Sequence, residues 1–218
     1  MLRHAQSVSN AQKEVASLPD EVGDRLTDRG HEQARNAAAA LYGRDITRLI
    51  ASPMRRAQET AAPIAEALGL EIETDPGIYE LREEEGYGEL RPEEQKLRRW
   101  SEWMAEHADD PTYAPPGADS FLGMRERTRA FQRRMESEEG SPLVVTHGIF
   151  LRFLLIDILL GDRFGPADAA RLWQLRTVNC GLSAFDFREP HRAVDHDTDD
   201  WLCAMWMQPL GAGGAPSR

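Results

Sequence analysis

Pro142-Leu143-Val144-Val145-Thr146-His147-Gly148, followed by the apolar run Ile149 to Leu160, decides the fold. The first five residues are a β-rich apolar run of strand length, and His147-Gly148 interrupts it with a polar side chain and a glycine. The run from Ile149 is apolar on nearly every side, the pattern of a helix buried all round. It is too short to span a bilayer and carries Arg152 and Asp157. A buried strand handing directly to a buried helix is the repeating unit of a parallel α/β sheet. Ligands of such sheets lie beyond the carboxyl ends of the strands, which is where His147 stands.

The same unit recurs elsewhere in the chain. Met1-Leu2 runs as a strand end into Arg3-His4, and Leu49-Ile50-Ala51 runs into Ser52 to Arg56. Between them, Ala34, Ala37, Ala38 and Leu41 fall at helical spacing from Asp28 to Tyr42. Ser52-Pro53 reads as a helix start with Ser52 as N-cap. Its apolar stripe is Met54, Ala57, Ala61, Ile64, Ala65 and Leu68, and Gly69 ends it. Leu70 to Thr74 reads as a strand, Ser120 to Met135 as a helix, and Ala184 to Phe187 and Trp201 to Met207 as late strands. The expected architecture is a three-layer α/β/α sandwich with a mostly parallel central sheet. It forms one domain over residues 1–210, with a disordered tail at 211–218. An acidic, Pro-punctuated stretch at about 89–117, carrying Trp100 and Trp103, reads as a small cap-like insertion.

Composition narrows the function. Among 218 residues, 26 Lys and Arg face 37 Asp and Glu, a formal net charge of −11. That balance excludes a non-specific nucleic-acid binder and a polybasic membrane anchor. An anionic ligand therefore needs a local cluster of cations. Cys180 and Cys203 cannot build a disulfide framework; they read as small core residues and fit a reducing, cytoplasmic setting. No segment reads as a signal peptide. The polar run His191 to Asp200 matches no metal-ligand spacing, so it reads as a loop, and no metal or other cofactor is expected. The three strand ends deliver Arg3, His4, Arg55, Arg56 and His147 to one edge.

This ordered set resembles the histidine phosphatase superfamily, which includes the cofactor-dependent phosphoglycerate mutases. Arg3-His4-Ala5-Gln6-Ser7 with Asn10 is similar to the family's Arg-His-Gly motif and its trailing Asn. Leu26-Thr27 through Gly30 and Gln33-Ala34 matches the next segment, and Ser52-Pro53-Met54-Arg55-Arg56-Ala57 the helix that supplies a phosphate-binding arginine. Val144-Val145-Thr146-His147-Gly148 matches the second histidine motif. Pro116-Gly117-Ala118-Asp119-Ser120 with Arg127 is similar to a further Pro-Gly-Gly-Glu-Ser segment. The resemblance implies that His4 is the nucleophile that becomes phosphorylated. It also implies that Arg3, Arg56 and His147 bind the phosphoryl oxygens, with Asn10 and the Gly148 backbone nearby. For the proton donor, the family's Leu-Arg-Glu pattern picks Glu83, with Glu84 as rival because the following glycines are shifted.

Physical chemistry asks for the same groups. A phosphomonoester is near −2 at neutral pH, and planar guanidinium forks suit its oxygens better than lysine does. Imidazole attacks only when neutral, so one ring nitrogen of His4 must donate its proton elsewhere; His147 is expected to serve as a cation. A glutamic acid must rise about 2.7 units, roughly 3.7 kcal/mol, to be half-protonated at pH 7. The bound dianion is expected to supply most of that rise.

Several features depart from the family pattern. Ala5 replaces the usual glycine, Asp119 the usual glutamate, and only two residues precede Arg3. The strand holding His4 is thus expected to be short, with lower stability or a start further upstream. The favoured reading is a hydrolase acting on a small phosphorylated metabolite. The compact segment from Glu89 to Pro116 sets it apart from the mutase branch. The alternatives are a mutase-type phosphotransferase and a phosphate-binding protein that has lost turnover. A metallohydrolase on His4 and His147 fails on ligand count. The oligomeric state is left open, a homodimer included.

Overall fold

The structure, a computed structural model, describes residues 1–11, 24–82, 108–114, 117–169, 171–188 and 200–210. In chain order the elements are β1 (Leu2–Arg3), α1 (Val8–Ala11), α2 (Asp28–Leu41), β2 (Arg48–Ala51), α3 (Arg55–Leu68) and β3 (Ile72–Thr74). After these come α4 (Phe121–Glu136), β4 (Pro142–Thr146), α5 (Gly148–Leu160), α6 (Pro166–Ala169), β5 (Gly181–Arg188) and β6 (Asp200–Pro209).

The strands lie in the order β3-β2-β4-β1-β5-β6. The first four are mutually parallel, while β5 pairs antiparallel with β1 and β6 antiparallel with β5. Side chains alternate across a strand, so each strand feeds both faces of the sheet. Leu49, Ala51, Leu143 and Val145 pack on one face against Ala34, Ala38 and Leu41 of α2 and Ala57, Ala61 and Ile64 of α3. Ile50 and Val144 pack on the other against Phe121, Met124 and Phe131 of α4 and Phe150 and Phe153 of α5. The three layers expected from the sequence are therefore present. Helix α5 is apolar on nearly every side because most of it is enclosed: Leu151 packs away from that face against Val178 and Met207, while Leu159 near its end is exposed.

Local signals were mostly met. Gly69 ends α3 at φ 66°, the left-handed conformation in which glycine carries no Cβ penalty. Strand β1 is two residues long, short as expected from the two residues that precede Arg3. Strands β5 and β6 run longer than expected because they pair with each other in an extended hairpin. Ser52 corrects the reading: α3 begins at Arg55 with Met54 at its N-cap and no side-chain cap. Cys180 is buried as expected, but Cys203 is only half-buried. Most of the insertion, the tail and the His191 to Asp197 run lie outside the described residues. Among those described, no helix is long and apolar enough to cross a membrane.

Candidate active site

Register dictates the site. Because β2, β4 and β1 are adjacent and parallel, their carboxyl ends share one edge, with Arg3 opposite Thr146 and Ala51 opposite Val145. The ladder continues one step further: the His4 N–H donates to the Thr146 carbonyl at 2.9 Å, and the Ser52 N–H to the Val145 carbonyl at 3.0 Å. His4, Ser52 and His147 thus leave the sheet side by side, all three buried. The two imidazole centroids are 5.2 Å apart.

His4 Nδ1 lies 2.7 Å from the Ala5 carbonyl. A carbonyl can only accept, so Nδ1 carries the proton and Nε2 holds the free lone pair. Arg56 Nε points at that lone pair from 3.2 Å. Burial, reinforced by Arg56 and then Arg3, holds the His4 ring well below the usual imidazole range, against the opposing pull of the Ala5 carbonyl. The His4 ring is therefore held uncharged.

His147 Nε2 is 2.7 Å from Ser52 Oγ, and its buried Nδ1 meets no hydrogen-bond partner among the described residues. Here the ring departs from the expected cation. Burial is the largest cause, and Arg56, His4, Arg3 and Arg127 all push the same way, so this ring too sits well below the imidazole range. No carboxylate hydrogen-bonds to it among the described residues, and it caps α5, where the helix dipole disfavours positive charge.

Of the neighbouring arginines, Arg55 turns outward to pair with Glu59, while Arg56 turns in. Asp24 bridges them, its carboxylate binding Arg56 Nη1 and accepting the Arg55 N–H at 2.6 Å. Arg3 donates to the Thr177 carbonyl at 3.3 Å. A Cβ on Gly148 would stand 3.3 Å from both Arg3 Nε and Thr177 Oγ1, so glycine lets Arg3 lie across the start of α5. Asn10 is exposed; Asn179 Nδ2 donates to its side chain at 3.4 Å and to the His4 carbonyl at 3.1 Å. Glu83 and Glu84 lie outside the described residues.

The motif from Leu26 to Gln33 turns out to be scaffolding for the loop after His4. Thr27 caps α2 and donates its N–H to the Gln6 carbonyl at 3.0 Å, while Gln33 Oε1 accepts the Gln6 N–H at 2.9 Å. Gly30 must lack a side chain, because a Cβ there would fall 2.1 Å from the Gln6 carbonyl oxygen. Thr60 Oγ1 accepts the Ala5 N–H at 2.9 Å. Ala5 is buried in the core and has no positive φ, so the position does not need glycine's freedom.

Sequence reading misses four residues here. Ser52 reads as a helix cap, but its hydroxyl faces His147 and also accepts the Met54 N–H at 3.3 Å. Asn179, just before Cys180, has the residue type of a turn, yet its amide supports His4. Asp24 carries no motif of its own, although a carboxylate just ahead of the matched Leu26-Thr27 pair is a usable signal. Glu80 caps α5, accepting the Ile149 and Phe150 N–H groups at 3.1 and 3.2 Å. Among the described residues, no group of three or more His, Cys, Asp or Glu could hold a metal ion.

A sheet edge carrying two neutral imidazoles among guanidinium forks has the chemistry that suits a phosphoryl group. Comparison with known proteins agrees. The profile of the histidine phosphatase superfamily (branch 1) matches residues 1–200, and the chain belongs to that superfamily. It is 34% identical over 211 residues to "Probable phosphoglycerate mutase GpmB" of Serratia proteamaculans, covering 95% of this chain and 88% of the relative. The protein of the same name from Yersinia enterocolitica is also 34% identical, with the same coverage. In fold, the chain is similar to a mycobacterial glucosyl-3-phosphoglycerate phosphatase solved with VO3 (TM-score 0.68, 22% identity, 95% and 97% of the two chains). A phosphoserine phosphatase from Entamoeba histolytica, in complex with 3-phosphoglyceric acid, is similar at TM-score 0.69 and 18% identity, over 95% and 94% of the two chains.

Proposed function

We propose that the protein is a phosphomonoester hydrolase that works through a phosphohistidine on His4, without a metal, on a small phosphorylated metabolite of the cytoplasm. The observation that carries this reading is the His4 tautomer: Nδ1 is committed to the Ala5 carbonyl and Nε2 faces Arg56. In the first step the Nε2 lone pair attacks phosphorus and the P–O bond to the leaving group breaks. Its electron pair goes to that oxygen, which takes a proton from Glu83, or from Glu84 in its place. Arg3 and Arg56 stabilise the negative charge on the equatorial oxygens. The incoming dianion offsets the positive field at His147, which then takes up a proton and donates to the phosphoryl group. In the second step water attacks phosphorus, its proton passes to the same carboxylate, and the P–N bond breaks with its electron pair returning to Nε2. Free enzyme and inorganic phosphate result.

The name borne by the relatives at 34% identity favours a second reading, in which a phosphoglycerate hydroxyl takes the place of water. One experiment separates them. With p-nitrophenyl phosphate in chelator, the wild type should release phosphate and accumulate an acid-labile phosphoenzyme that His4→Ala does not form, with turnover lower on the order of 10⁴-fold. A phosphoenzyme that persists in His4→Ala would overturn the assignment. Isomerisation of 3-phosphoglycerate with a bisphosphoglycerate primer, without net phosphate release, would establish the mutase.

A further inference from the structure

Residues Gly77 to Arg82 lead directly in sequence to the two proton-donor candidates, and they are tied to the body of the protein almost residue by residue. Arg127 Nη1 donates to the Tyr79 carbonyl at 2.5 Å and to that of Gly77 at 3.4 Å. Thr146 Oγ1, next to His147, donates to the Ile78 carbonyl at 2.7 Å. Glu80 is fastened to the first amides of α5. Arg82 is held most completely. Its N–H donates to Asp119 Oδ2 at 2.8 Å, its carbonyl accepts the Asp119 N–H at 3.0 Å, and its guanidinium donates to Asp119 Oδ1 at 3.1 Å.

Asp119 lies 37 positions further along the chain, and its side chain is only 7% exposed. It also accepts from Tyr79 Oη at 3.2 Å and from Arg127 Nη2 at 3.1 Å. The Tyr79 ring lies against both guanidinium groups, with centroid distances of 3.7 Å to Arg127 and 4.6 Å to Arg82. Buried ion networks of this kind are poor sources of net stability, and their better-attested use is to fix a register. The register fixed here is that of the backbone one bond before Glu83.

We propose that Asp119 is a positioning residue for proton donation: by holding both backbone groups of Arg82 it sets the point from which the following carboxylate is presented to the leaving oxygen. This rests on the phosphomonoesterase reading. Positioning a proton donor matters in proportion to how badly the leaving group needs a proton. p-Nitrophenolate departs without one, whereas an alkoxide does not.

The test compares kcat/KM, which reports the steps through P–O cleavage, for p-nitrophenyl phosphate and 2-glycerol phosphate in wild type, Asp119→Ala, Asp119→Asn and Asp119→Glu. In the Ala variant the ratio of aryl to alkyl activity should rise about 10²-fold, and Asp119→Glu should restore most of it. Asp119→Asn keeps the shape of the side chain and is the variant to read if Asp119→Ala does not fold. Equal losses on both substrates, or no change on either, would overturn the proposal. If the wild type cleaves neither substrate, the phosphomonoesterase reading fails on its own. Amide exchange then decides the clamp: faster exchange at Arg82 in Asp119→Asn upholds it, and unchanged exchange sinks it.

Discussion

Two of the partly buried arginine clusters among the described residues solve the same problem in opposite ways. On the outer side of α5, Arg125 and Arg129 converge on the Asp157 carboxylate at 2.8 and 2.7 Å, with the side chain of Asp157 only 2% exposed. Hydrogen bonding to Asp157 raises the Arg129 pKa above its ordinary value. At the sheet edge, Arg3 and Arg152 donate to the Thr177 and Leu175 carbonyls, and Arg56 Nε to an imidazole nitrogen. There burial, followed by repulsion from Arg3, drags Arg152 down to about 10. Asp162 also lies 3.0 Å from Arg129 and 3.6 Å from Arg125, so the first cluster balances its own charge, whereas in the second, positive charge is set against neutral rings and carbonyl dipoles. Its one described carboxylate on Arg56 is Asp24.

Removing Asp157 should have the largest effect on stability. Asp157→Ala leaves Arg125 largely buried without its main partner, and should cost about 3–5 kcal/mol. Thermal melting should show this as a fall of roughly 10 °C. The kcat/KM of the protein that remains folded should hardly change. A comparable loss of activity per folded molecule would erase the distinction between the clusters.

A pH titration of stability examines the second cluster. His4 and His147 are held below the ordinary imidazole range in the folded state, so below about pH 6.5 the unfolded chain binds protons that the folded one refuses. Stability is therefore full above that pH. It should fall as pH drops further, by about 1.4 kcal/mol per unit for each ring, until the folded pKa values are reached. Urea unfolding at pH 7 and pH 5.5 should show a steeper loss for the wild type than for a His4→Gln, His147→Gln double variant. Parallel losses would mean that the rings are not held neutral.

Ser52→Ala should have the smallest effect. It removes the hydroxyl that fixes His147, and kcat should drop about tenfold with little change in melting temperature. An unaltered kcat would show that the ring is oriented by packing alone.

Legibility in the sequence tracks separation along the chain. His4, His147 and Gly148 were legible because a strand end is a local pattern, and Arg56 because it stands at a fixed step inside a matched motif. The layers were legible because apolar periodicity is local too. Ser52 was misread because Ser-Pro before a helical stripe is a sound local cap signal; the ring that claims its hydroxyl lies 95 positions away. Asn179 and His4 are 175 positions apart, and Glu80 meets the α5 amides across 69 and 70. The charge of His147 escaped for another reason: chemistry with a phosphoryl group suggested a cation, whereas burial among arginines holds the ring neutral.

The contact between Gly30 and the Gln6 carbonyl bears on how this enzyme could be redesigned. Position 30 lies on the helical layer, outside the set of groups that would meet a ligand, and a substrate-docking exercise would leave it free to vary. Yet even a methyl group there would wedge the amino-terminal loop off its supporting helix and shift His4 with it. Mutational libraries aimed at new substrates should hold this glycine constant, because its influence on the reacting atoms travels through main-chain spacing.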